Sequence, residues 1–323
     1  MTDAGTGSDP GDGTDREGAD RTASASAAER RLAADGGTLA QEAAVDDRQL
    51  TRKRSVLITG CSSGIGRATA RSFLEKEWSV VATSRDPDDV ADLAGAGCEI
   101  LELDVTNPDH VTRAVEETVE RTGAIDCVVN NAGYAQVGPI EDVPTGDVRR
   151  QFEVNTFGPH RLVRAALPHM RAQGSGRIVN VSSVNGRVSV AGLGVYAGSK
   201  HALEAMSDAL RAEVEPFGVD VVVVEPGPTD TDSLSRAEDE LPTERTADYE
   251  AIYEIYEDAK LIGASGPLAL DPRDVADAIV YAATCSEPPA RIPVGFVAQY
   301  GSLARFLPDR LRDALYGLVR KFV

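Results

Sequence analysis

The chain has 323 residues, 42% of them hydrophobic, enough for one large domain or two small ones around a sizeable core. A formal net charge of −19 would repel a phosphate backbone, which argues against nucleic acid as a partner. No stretch reaches the roughly 18 apolar residues of an integral membrane segment. The four cysteines and four histidines are dispersed, so neither a metal nor a disulfide framework is expected, and a reducing, cytoplasmic home is.

Residues 1–50 are acidic, rich in Gly, Asp, Ser, Thr and Ala, and contain no aromatic residue. Such a segment cannot bury enough apolar surface to offset chain entropy, so a disordered acidic tail is expected. It lacks the basic start and apolar middle of a signal peptide. A short helix around 27–44 would be marginal alone. The chain has only five lysines, and arginine carries most of its positive charge. An acidic, lysine-poor surface resembles that of salt-loving microbes' proteins, with arginine-rich codon usage as the alternative source.

From residue 54 the pattern alternates. Val/Ile-rich runs at 55–59, 78–83, 99–103, 126–130, 177–182 and 219–225 read as strands. Helix-length segments lie near 65–77, 109–122, 146–172 and 195–216. Runs that are apolar throughout indicate strands buried on both faces, and helices between them indicate parallel βαβ units. The expected fold is α/β: a Rossmann-like, doubly wound parallel sheet over 54–300, with its ligand edge at the carboxyl ends of the strands. Residues 229–268 break the regularity. They are polar and acidic, with Tyr249, Tyr253 and Tyr256, and suit a lid; a pair of surface helices is the alternative. A helix near 272–284, a short strand near 292–296 and an amphipathic helix over 301–323 complete the chain. That last segment puts Leu307, Leu311, Leu315, Leu318 and Phe322 near one face. It would pack on the lid or a neighbouring subunit, or make a peripheral membrane contact.

The stretch "TGCSSGIG" (59–66) joins the first strand to the first helix. Gly60 permits a tight turn, Gly64 admits a pyrophosphate to the backbone, and Gly66 allows close packing of helix on sheet. Ser62, Ser63 and Ile65 complete the turn. "NNAG" (130–133), "YAGSK" (196–200) and "PGPTDT" (226–231) follow in order, each at a strand end or helix start. Together these four segments resemble the short-chain dehydrogenase/reductase family over roughly 54–232, and loosely its steroid and retinol dehydrogenases.

The resemblance implies a nicotinamide-dependent oxidoreductase. Tyr196 would be the general acid/base. Lys200, four residues later on the same helix face, would favour its phenolate. Ser183, 13 residues before Tyr196, would bond the reacting oxygen; Ser182 is its neighbour and the alternative. Asn155 matches the family's helical asparagine, which holds a proton-relay water. Asp104 and Val105 would contact adenine. Asn131, Ala132 and Gly133 would line the cofactor, as would Pro226 and Gly227, and Thr229 or Thr231 would reach the carboxamide or phosphates.

The end of the second strand holds no acidic residue to bind a ribose hydroxyl. Arg85 follows it and would clamp a 2′-phosphate with help from Ser63, so NADP is expected over NAD. Asp86 is expected to point to solvent. Val137, Pro139, Val143, Val188, Val190, Leu193 and the lid tyrosines would give an apolar lining suited to a small lipophilic alcohol or carbonyl substrate. A homo-oligomer is expected. The competing reading is a regulatory or scaffold protein that binds the dinucleotide without turnover.

Overall fold

The structure is a computed structural model that describes residues 52–231, 241–257, 269–311 and 314. The chain divides into two units, Met1–Arg52 and Lys53–Val323, and the second contains the sheet and its helices. The acidic tail expected over 1–50 lies outside the described residues.

Seven strands form one sheet: β1 (Ser55–Ile58), β2 (Ser79–Ser84), β3 (Glu99–Glu102), β4 (Cys127–Asn130), β5 (Gly176–Val181), β6 (Val219–Pro226) and β7 (Arg291–Val294). Every pairing is parallel, in the order β3-β2-β1-β4-β5-β6-β7. The chain winds outward from β1 to β3, returns to pair β4 against β1, and winds outward the other way. The crevice between the carboxyl ends of β1 and β4 is therefore the topological switch point, where such sheets bind ligands.

The connecting helices are α1 (Gly64–Glu75), α2 (Ala91–Ala96), α3 (Pro108–Thr122), α4 (Thr145–Phe152), α5 (Gly158–Gln173), α6 (Gly194–Val214), α7 (Glu250–Glu257), α8 (Pro272–Thr284) and α9 (Phe296–Gly301). Successive strand residues point to opposite sheet faces. Accordingly Val56 and Ile58 join one apolar cluster with Phe73, Val129, Val222 and Ile279. Leu57 joins the other, with Val128, Ile178, Leu162 and Met170. Both faces are covered, which is why these strands read as continuous apolar runs. Each fully buried Leu or Ile here contributes about 1.5–3 kcal/mol relative to exposure.

Three local features differ from the sequence expectation. First, α2 lies in a segment for which the sequence pattern named no helix; it is short and carries one buried apolar residue, Leu93. Second, the helix expected over 146–172 is α4 and α5 joined by a π turn, Glu153–Phe157. Third, the expected terminal helix begins earlier, with α9, and tightens into a 3₁₀ turn at Ser302–Phe306. Leu307 is extended (φ −75°, ψ 142°), because the following Pro308 disfavours helical backbone before it. A single helix is thus interrupted at Leu307; Leu315, Leu318 and Phe322 lie outside the described residues. No described helix is long and apolar enough to cross a membrane.

Part of the segment expected to form a lid is described, over 241–257. Asp142, in the loop after β4, accepts hydrogen bonds from Thr246 N (3.0 Å), Thr246 Oγ1 (2.6 Å) and Tyr253 Oη (2.6 Å). These bonds hold its carboxyl below the ordinary value of 3.8. The anchor is therefore fully formed above that value and is lost only as pH falls through the lowered folded value. Tyr249 Oη donates to Glu141, and Tyr256 Oη to the Ala191 carbonyl, each over about the ideal hydroxyl distance. The lid tyrosines expected in the apolar lining thus spend their hydroxyls tying 241–257 to the loops around 140 and 191. Asp142→Ala is expected to free this segment. Limited proteolysis should cut within 241–257 faster.

Candidate active site

The glycine turn sits at the carboxyl end of β1. Gly60 (φ +71°) and Gly64 (φ +50°) occupy the left-handed region that favours glycine. A Cβ at Gly66 would come within 2.1 Å of the Gly60 carbonyl oxygen, so only glycine lets α1 start this close to the turn. Ser63 caps α1 without a side-chain hydrogen bond, and the first turn carries no acidic residue. Free N–H groups and the positive end of the helix dipole therefore face the switch point.

Thr59 and Asn131 hold this cradle. Asn131 Nδ2 donates to the carbonyls of Thr59 and Gly60, at 2.9 and 3.0 Å. Thr59 Oγ1 accepts from the backbone N–H groups of Asn131 and Ala132. The Asn131 side chain thus positions the turn, and Ala132 packs against Gly60. Thr231 lies over the other side: a Cβ on Gly64 would come within 2.8 Å of its Cγ2. Thr229, by contrast, is buried and donates to the Gly227 carbonyl. Of the two threonines left open by the sequence, Thr231 adjoins the turn. Pro226 ends β6, and Gly227 is tied to the neighbouring strand through its N–H to the Val294 carbonyl.

Arg85 follows β2 at the same edge. It is exposed, and no hydrogen bond or ion pair involves it among the described residues. Asp86 is exposed too, and its carboxylate caps the next turn by accepting from Asp88 N at 3.0 Å. Asp104 Oδ1 accepts from Thr106 N and Oγ1. The Val105 side chain is buried against Gly158, and its carbonyl accepts from Arg161 at 3.3 Å.

The four expected catalytic residues converge beside this cradle. The π turn of α4–α5 sets Asn155 inward, where it is 1% exposed. Asn155 Nδ2 donates to the Tyr134 carbonyl (3.0 Å) and to Ser199 Oγ (3.1 Å). Its Oδ1 accepts from Tyr134 N. Ser199 Oγ in turn donates to the Tyr196 carbonyl. Neither Ser199 nor Tyr134 was singled out from sequence. Gly133 borders both Asn155 and Lys200: a Cβ there would lie 3.0 Å from Asn155 Oδ1 and 3.6 Å from Lys200 Nζ.

Ser183 follows β5. Its Oγ accepts from Asn185 N at 3.1 Å, which leaves its proton for the Tyr196 phenol, to which it is hydrogen-bonded. Ser182 Oγ is buried and has no hydrogen-bond partner among the described residues. Of the two serines, Ser183 is the one that acts on the Tyr196 phenol.

The electrostatics correct one expectation. Lys200 was expected to make Tyr196 acidic. In the protein alone burial pushes the phenol above its ordinary value of 10.0, and only the Ser183 hydrogen bond opposes this. Lys200 Nζ donates to the Val181 carbonyl at 2.9 Å and lies 5.9 Å from the Tyr196 ring centroid. Burial brings Lys200 down to about 8, with the Glu204 charge opposing. One of the ammonium's three donors is therefore taken by that carbonyl.

The short chain dehydrogenase family model matches residues 54–242. The uncharacterized oxidoreductase YbbO of Escherichia coli is 36% identical over 268 residues, 81% of this chain and 94% of that protein. Human retinol dehydrogenase 8 is 35% identical over 255 residues, 74% of this chain and 80% of that one. A short-chain dehydrogenase structure from Streptomyces avermitilis superposes with a TM-score of 0.69 at 35% identity, covering 81% of this chain and 94% of that one. Solved relatives include complexes with NAD and with NADP. With this fold, this site and these relatives, the chain belongs to the short chain dehydrogenase family and is an oxidoreductase.

Proposed function

We propose that the protein interconverts a hydroxyl and a carbonyl on a small lipophilic molecule, with NADP(H) as its cofactor and Tyr196 as the general acid/base. One observation carries the reading. A phenol hydrogen-bonded by Ser183 stands beside Asn155 and Lys200, at the edge where an uncapped helix N-terminus meets a glycine cradle.

The residues present fit the dinucleotide. The free N–H groups of α1 suit its pyrophosphate. The Arg85 guanidinium, unpaired among the described residues, suits a 2′-phosphate, whereas a carboxylate at the end of β2 would suit a ribose hydroxyl. When bound, the cofactor supplies or accepts the hydride.

The chain's own residues then manage the proton. In the reducing direction Tyr196 holds its proton at Oη, as burial favours, and gives it to the carbonyl oxygen. The Ser183 hydroxyl donates to the same region and steadies negative charge as it develops on that oxygen. Asn155 fixes the backbone around Tyr134 and, through Ser199, the start of α6.

The test mixes purified protein with NADPH, or with NADH, and a panel of ketones and aldehydes at low and high salt. NADPH oxidation with at least one carbonyl, faster than with NADH, is the expected result. Tight NADPH binding with no absorbance loss for any carbonyl would instead favour a non-catalytic binder.

A further inference from the structure

Glu204 lies one helical turn beyond Lys200 on α6 and is 4% exposed; Glu225, near the end of β6, is 3% exposed. The two carboxyl groups lie side by side, since Arg291 Nε is 3.0 Å from Glu204 Oε2 and 3.2 Å from Glu225 Oε1. Two buried carboxylates this close repel each other, and a proton on one of the pair relieves that repulsion. The Oε1 atoms of both are buried and accept no hydrogen bond among the described residues, although Arg291 Nε pairs with Glu225 Oε1 by charge.

Other charges face the pair from three elements. Arg291 Nε, on β7, lies 3.0 Å from Glu204 Oε2 and 3.2 Å from Glu225 Oε1. Arg187, after β5, lies 3.6 Å from Glu225 and 3.9 Å from Glu204. Asp208, also on α6, takes Arg291's second arm at 2.6 Å and Arg211 at 2.8 Å. The arginine charge is thus divided among three carboxyl groups. Space is short as well: a Cβ on Gly186 would meet Ser182 Oγ at 2.5 Å and Glu204 Cγ at 3.0 Å.

We propose that Glu204 and Glu225 share one proton and act as a positioning pair for Lys200, setting how much negative charge faces its ammonium as ambient pH changes. The proposal rests on the reading above that places Lys200 beside Tyr196 in the active site. Glu225 is held up to about 7, by burial first and then by the Glu204 charge. The shared proton therefore leaves near neutral pH. Its departure adds a negative charge close to Lys200, which burial otherwise brings down to about 8. The pair helps Lys200 stay charged at the pH where burial would discharge it.

The test needs neither cofactor nor substrate. The full chain, labelled with [¹³Cε]lysine, has five lysine signals, and Lys200→Arg assigns one of them to Lys200. Its shift is followed from about pH 5 to about pH 10.5. The wild-type curve is expected to show a second inflection near neutrality. Glu225→Gln should remove that inflection. Glu204→Gln should move the Lys200 midpoint down by about half a pH unit or more. A wild-type curve without the second inflection, or variant curves that superimpose on it, would overturn the proposal. If Glu204→Gln does not fold, Glu225→Gln decides alone. Failure of the carbonyl panel would defeat the oxidoreductase reading yet leave these titrations standing, so the two failures are distinguishable.

Discussion

Tyr196→Phe is expected to lower kcat for carbonyl reduction by about 10²–10⁴-fold, the usual contribution of a positioned acid or base. NADPH affinity, read by fluorescence titration, should be unchanged. The substitution keeps the ring and removes one oxygen. Ser183 loses an acceptor but keeps its bond from Asn185 N, so the turn after β5 stays in place. The glycine cradle and Arg85 involve other strands and do not depend on the hydroxyl. Normal turnover in this variant would show that the proton comes from elsewhere.

Arg85→Asp is expected to reverse the cofactor preference. A hydrogen bond to a charged group contributes about 1.5–3 kcal/mol, so losing the clamp alone lowers kcat/KM with NADPH by about 10–100-fold. The new carboxylate then repels the 2′-phosphate and accepts from the ribose hydroxyls of NADH. The effect is local, because Arg85 is exposed and has no other partner among the described residues. Its neighbour does not compensate, since Asp86 is engaged in capping the following turn. The measurement is the ratio of kcat/KM for NADPH to that for NADH. An unchanged ratio would remove Arg85 from cofactor choice.

Much of this site was legible because the fold concentrates it. In a parallel sheet every strand's carboxyl end lies on one edge, so residues after six different strands meet there. The spacing of Tyr196 and Lys200 gave one helix face, and the glycine spacing gave the turn. What stayed hidden depended on partners distant in sequence. Asn155 was legible through the family resemblance, but the π turn that sets it inward was not. The lid tyrosines look like an apolar lining, yet Asp142, more than a hundred residues earlier, takes the Tyr253 hydroxyl. The phenol's pKa was misjudged for the same reason. Sequence places a lysine near it but says nothing of the Val181 carbonyl that holds the ammonium. Glu225 did leave a trace, as a lone carboxylate inside "VDVVVVEP". Its meaning required Glu204 and Arg291 beside it.

Tyr196 is the proposed proton donor and acceptor; burial raises its pKa in the protein alone, and the positive charge of an oxidised nicotinamide beside it would bring it down. A direct measurement is the pH titration of the Tyr196 signal in [¹³Cζ]tyrosine-labelled protein, assigned with Tyr196→Phe, with and without NADP⁺. The account predicts a midpoint above the ordinary phenol value without the nucleotide and a clear fall when it binds. A Tyr196 midpoint that saturating NADP⁺ leaves unmoved would contradict it.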